Sequence, residues 1–415
     1  MKTLIFTPVI FLAFLLSYSF GISYISVADG DWTTPTTWDP VGVPIPGDDI
    51  TIDTDVILNS NFYYTAGSVT INEDASLTED VAGRSFTVNG GTFENNGVLR
   101  ITYLVTIGGT TENNDSIYIY VSFLNSSTFD NNGVIAEADS FLNEGAYNNN
   151  ADAEILVSNF YNNYNIDNFG VIDATNFYNA GTIPNSGEMW FTNFTNTGSF
   201  VNDGEIESND FRNTGTFHNF SYITGTNDFT NVGTFEMFAD SEFEIENNFL
   251  NCDSANHTAL FINNGLVEVG HHWANTDTVK GFAGEFYVED STFNFGWMKG
   301  SFDFCDLTPP ATEPYIDYNS GTIDPDITYC QDPVNDLEGS AFISIYPNPA
   351  RNTLYIESGN TGPETIKLYD IIGNLISSHE QANSINTSEL QKGIYFVEFI
   401  DKNGNIIMRE KLIKE

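Results

Sequence analysis

The chain has 415 residues, of which 57 are acidic and 13 basic, for a formal net charge of −44. Such a chain repels nucleic acid and anionic membranes, and no nucleic-acid partner is expected. Gly and Phe each occur 34 times and only 17% of residues are charged, a composition that disfavours helices and suits many short strands.

At the N-terminus, Lys2 precedes an apolar run from Leu4 to Leu16, then the small residues Ser17, Ser19 and Gly21. This predicts a secretory signal peptide over residues 1–21. The run is too short to cross a bilayer, and no other segment is long and apolar enough to do so. No Cys follows it, so a lipoprotein anchor is not expected. Residues 22–50 read as a cap, with Trp32 and Trp38 covering the open end of whatever stacks behind them. The segment from Asp29 to Ile52 resembles the start of bacterial surface β-helix proteins in Trp32, Trp38, Pro44, Gly47 and Asp48.

Between Asn159 and Thr226 the chain repeats every seventeen residues. Phe160, Phe177, Phe194 and Phe211 form one apolar column. Ile166, Ile183, Phe200 and Phe217 form a second, and Ile172, Met189, Ile206 and Ile223 a third. Seventeen residues are too few for a helix pair, so each repeat must bury its apolar side by stacking on its neighbours. The reading is an all-β, right-handed parallel β-solenoid (β-helix) over 51–335, with short strands on two or three faces of each coil. It amounts to on the order of fifteen coils and roughly 70 Å of rod at one strand spacing per coil. Asn162, Asn179, Asn196 and Asn213 align, as do Asn168, Asn185, Asn202 and Asn219, and such columns can form amide ladders. Corners of the form Asn179-Ala180-Gly181 are expected where positive φ is needed.

Three Cys remain: Cys252, Cys305 and Cys330. Export permits one bridge among them, and Cys305–Cys330 is the expected pair because both fall where the repeat degenerates; three reduced thiols are the alternative. Residues 21–340 hold 48 acids against Arg84, Arg100, Arg212, Lys280 and Lys299, whereas 341–415 are nearly balanced. Most of the rod's acids flank the apolar columns, as Glu205 and Glu207 do around Ile206, and are expected to point outward.

After a linker at 336–342, residues 343–415 show ordinary strand alternation with turns at Gly373, Gly393 and Asn403-Gly404, which predicts a small antiparallel β-sandwich. The motifs there are Tyr346-Pro347-Asn348-Pro349 and Lys367-Leu368-Tyr369-Asp370 with Gly373. They continue with Lys392-Gly393-Ile394-Tyr395 and the basic end around Lys411. Together they closely resemble the type A C-terminal sorting domain of the type IX secretion system. The resemblance implies engagement of that secretion machinery and export across the outer membrane of a Bacteroidota-type bacterium. It also implies removal of this domain, then release or attachment to surface lipopolysaccharide. The expected location is therefore secreted or on the outer cell surface.

Chemistry on the rod is sparse. Acids are too numerous for any carboxylate pair to stand out, and Arg84, Arg100 and Arg212 are the bases a lyase would need. His257, His271 and His272 lie close in sequence beside Trp273, but adjacent strand residues point to opposite faces, so His271 and His272 are not expected to share a metal. Asp48, Asp49, Asp53 and Asp55 are dense enough for calcium but lack the spacing of a dedicated loop. No catalytic or metal site is assigned, and calcium is the one cofactor left open. The expectation is a non-enzymatic surface rod for adhesion or structure; Tyr161, Tyr178 and Trp190 are aromatics that could contact extracellular glycans, although core packing or a solvated face is the more usual role of such residues. The alternative is a polysaccharide lyase or hydrolase with a groove walled by insertions at Leu250–His257 or His271–Gly284.

Overall fold

The computed structural model describes residues 21–225, 227–252, 258–310, 312–329, 343–358, 363–370, 373–402, 404 and 406–414. The predicted signal peptide, apart from Gly21, and the whole predicted linker lie outside them. The rod is a parallel β-solenoid of about 14 turns. Parallel pairing begins where Ser23–Ser26 meets Asp49–Ile52 and continues to Trp297–Gly300 against Thr322–Ile323.

The coils have three faces. In one coil, Glu154–Asn162 bends at Ser158 to make two of them, and Asn165–Asn168 makes the third. Alternation along each piece sends Ile155, Phe160 and Ile166 inward, all fully buried. The next coil sets Phe177 on Phe160 and Ile172 on Ile155 in register. Ring centroids along the Phe column are 4.9 Å apart between Phe160 and Phe177, and 4.6 Å between Phe194 and Phe211. On the third face Phe200, Phe217 and Phe235 stack nearly parallel at 4.8 and 4.7 Å. Like side chains recur at one strand spacing, so the core is a set of one-dimensional stacks rather than a globule.

Two further columns are polar and point inward. Asn162, Asn179, Asn196 and Asn213 are almost completely buried, and each donates its amide to the next at 2.8 Å. The ladder runs on to Asn319 with the same donor direction. The second ladder, from Asn95 through Asn168 and Asn185 to Asn219, ends when Asn219 meets the Met237 sulfur at 3.5 Å. Each Asn also serves its own corner: Asn179 Oδ1 accepts from Gly181 N at 3.1 Å. The predicted ladders are therefore real, and they satisfy backbone groups where sheet pairing stops.

One expectation about the corners is corrected. Gly181 and Gly187 do not have positive φ. Glycine is needed there because a Cβ would run into a carbonyl oxygen of the coil below, Tyr164 or Gly170. Close stacking of corners, rather than left-handed backbone, selects the residue.

At the N-terminal end, Trp32 and Trp38 are buried edge to face at 5.1 Å, and Trp32 packs on Phe62 at 4.6 Å. Near the other end, Cys305 is disulfide-bonded. Its expected partner Cys330 lies outside the described residues.

The last described region is a sandwich of two antiparallel sheets. Ile343–Tyr346, Thr353–Ser358 and Ser384–Asn386 form one. Leu375–Glu380, Thr365–Asp370, Gly393–Ile400 and Ile406–Lys414 form the other, in that order. Leu354, Ile366, Leu368, Val397 and Leu412 close a core separate from that of the rod.

Candidate functional site

The motif residues of the C-terminal sandwich are mostly structural hinges. Asn348 ties the first strand's exit to the last strand, donating to Lys411 O at 2.7 Å and accepting from Ile413 N at 2.8 Å. Tyr346 stacks on Tyr355, while Pro347 and Pro349 flank Asn348. Asp370 accepts from Asn374 N at 2.8 Å to fix the turn at Gly373, whose φ is +86°. Leu368 is core. Gly393 opens a strand with φ +154°, and Tyr395 OH donates to Gln391 O at 3.0 Å.

Tyr369 and Lys411 do something else: they face the rod. The outward row of the rod's third face is polar at Asp130 and Asn148 but becomes Val201, His218, Glu236 and Ile262 further along. At the adjoining corner stand Phe220 and Phe238, with ring centroids 3.8 Å apart. The sandwich sits on this patch. Phe396 stacks against Phe220 at 5.3 Å and Phe238 at 5.8 Å. Arg409 donates to Glu236 at 2.7 Å and, through Nη2, to Glu398 at 2.7 Å, while Lys411 pairs with Asp203. Tyr369 OH donates to Glu398 at 3.2 Å.

A cavity of about 410 Å³ lies between the two parts, lined by His218, Glu236, Phe238, Tyr369, Phe396 and Arg409 among others. Burial pushes the Glu236 carboxyl up, with the Arg409 guanidinium opposing the shift. Burial, aided by Arg409, lowers the His218 imidazole to about 4. Arg409 is raised: its desolvation works against the charge, but Glu236 and Glu398 outweigh it.

The other candidates are scattered. Arg84 forms an ion pair with Asp80 at 2.7 Å. Arg100 lies over the Tyr118 ring at 3.9 Å, and Arg212 is exposed in a different row. No lyase-like grouping of these three results. Asp48 is buried and accepts from Ile22 N and Ile45 N, both at 2.8 Å. Asp49, Asp53 and Asp55 each accept a side-chain hydrogen bond from the following coil. Those four acids do not form a converging ligand group. Tyr161 and Tyr178 stack in the open at 5.1 Å, nearly parallel, whereas Trp190 occupies a separate row between Asp173 and Glu207.

The segment from His271 to Gly284 is no insertion: Trp273–Asn275 and Thr278–Gly281 are ordinary coil strands. In the other expected wall, residues 253–257, His257 included, lie outside the described residues. The expectation that His271 and His272 diverge is also overturned. They precede the strand at a corner, and both come within 4 Å of Asp290.

Two comparisons bear on these findings. Residues 344–415 match the family described as secretion system C-terminal sorting domain. The chain is also 28% identical over 76 residues to an endo-acting ulvan lyase of Formosa agariphila, a stretch covering 17% of this chain and 15% of that protein. No solved structure matches. The stacked coils and the sorting domain define the class: a secreted β-helix protein with a type IX sorting domain. Its C-terminal domain indicates export by that machinery, to secretion or to attachment at the outer cell surface.

Proposed function

We propose that the exported rod is a non-enzymatic adhesion element that meets extracellular glycans along its side. The observation that carries this reading is the stacked, exposed Tyr161–Tyr178 pair, whose rings lie 5.1 Å apart and within 6° of parallel. Aromatic faces held rigidly by a stacked scaffold offer a large amphipathic contact at little entropic cost. Surface lipopolysaccharide is the partner for attachment.

The test is retention of the purified chain on a panel of neutral and acidic polysaccharides. Tyr161→Ala/Tyr178→Ala should weaken retention about tenfold without changing the melting temperature. Equal retention by the double variant, or none by either protein, overturns the reading. A second reading, polysaccharide cleavage, is favoured by the short similarity to an ulvan lyase. Shortening of any polymer in the same incubations would select it.

A further inference from the structure

The external corner between the first and second faces carries its own polar row. Asn176 donates to Asn159 at 2.9 Å, and Asn193 donates to Asn176 at 2.8 Å. Further along, Asn247 donates to Asp228 at 3.0 Å and Asn248 donates to the same carboxylate at 2.8 Å. At the next coil this stitching stops. Asn248 Oδ1 and His272 Nδ1 are both buried atoms without a hydrogen-bond partner.

In place of amides the row presents two imidazoles and a carboxylate. His271 occupies the position of Asn247, and Asp290 the same position one coil on. His271 Nε2 is 3.6 Å and His272 Nδ1 is 3.9 Å from Asp290 Oδ2. Neither distance is a hydrogen bond. One ligand atom from each of the three residues lies within 4.8 Å of the others. Two ligands about 2.0–2.2 Å from a tetrahedral zinc stand roughly 3.3–3.6 Å apart, so His271 Nε2 already has that spacing from Asp290 and His272 Nδ1 reaches it with a shift of a few tenths of an ångström. Two neutral nitrogens and one carboxylate are the donors of a borderline divalent ion, not of calcium, and the acidic rod attracts cations.

We propose that His271, His272 and Asp290 bind a divalent transition-metal ion, zinc by its donor set, which clamps two consecutive coils and keeps a coordination position open to solvent.

The test is titration of the full chain with Zn²⁺ at pH 7.5 against a competing chelator dye. One tight equivalent is expected in the native chain. It should be lost in His271→Ala/His272→Ala and weakened at least tenfold in Asp290→Asn, with unchanged far-ultraviolet circular dichroism in both. The bound ion should resist millimolar Ca²⁺ and show imidazole scattering in zinc X-ray absorption. Absence of a tight equivalent, equal affinity in the histidine variant, or displacement by Ca²⁺ would each overturn the proposal. Because these side chains are 42–49% exposed, the variants should still fold.

Discussion

Arg409→Ala tests whether the sorting domain is held on the rod by chemistry specific to that patch. The guanidinium lies 2.7 Å from both Glu236 and Glu398, which are 1% and 5% exposed. Removing it leaves two buried carboxylates without their cation, and breaking a buried pair in this way costs about 3–5 kcal/mol. The apolar part of the contact centres on Phe396, whose burial contributes about 1.5–3 kcal/mol. The loss exceeds that gain, so the domain should come off the rod while both parts keep their own cores. His218 reports the event. Its imidazole is held near 4 by burial first and by Arg409 second, and undocking should return it toward 6.5. Imidazole NMR titration of the full chain reads this value, and small-angle scattering should show a longer, looser particle. A charge exchange, Glu236→Arg with Arg409→Glu, should restore part of the docking. If Arg409→Ala leaves His218 titrating below 5 and the scattering unchanged, the ion pair does not hold the domain.

The other predictions follow from the same structure. His218 has a lowered pKa in the docked state, so the undocked state takes up a proton first as pH falls from 6.5 to 4. This residue's contribution to docking is present above 6.5 and is lost toward 4, by at most about 3 kcal/mol. Glu236 and Glu410 are raised and act in the opposite direction, so the measurement is the difference between the native chain and His218→Gln across that window. Asn179→Ala interrupts a ladder, leaving Asn162 without its acceptor and Asn196 without its donor. At about 1–3 kcal/mol for each orphaned group, chemical denaturation should show a loss of about 2–6 kcal/mol, and a loss below 1 kcal/mol would deny the ladder its role. Cys305→Ser should destabilise by about 2–4 kcal/mol, read as a lower melting temperature that added reductant does not lower further.

The rod was legible because its rule is local and repeated. Phe160, Phe177, Phe194 and Phe211 declare a stack as soon as the period is seen, and buried Asn columns follow from the same spacing. The sorting domain was legible because its motifs mark turns and core strands of one short segment. What the linear pattern could not carry was any relation that crosses coils of unequal length or separate domains. Glycine at the corners looked like a need for positive φ, but only stacked backbones show that Tyr164 O leaves no room for a Cβ over it. His271 and His272 looked divergent because a strand alternates, yet the chain is still turning at those positions and Asp290 arrives from the next coil. Nothing in the linear pattern sets Glu236 apart from the rod's other acids, or marks Phe220 and Phe238 as a contact patch. Arg409 lies 173 positions from Glu236, and no period connects them. Stacking periodicity determines the scaffold from sequence alone, whereas burial of a charge depends on what covers it, and only the tertiary structure brings the cover into place.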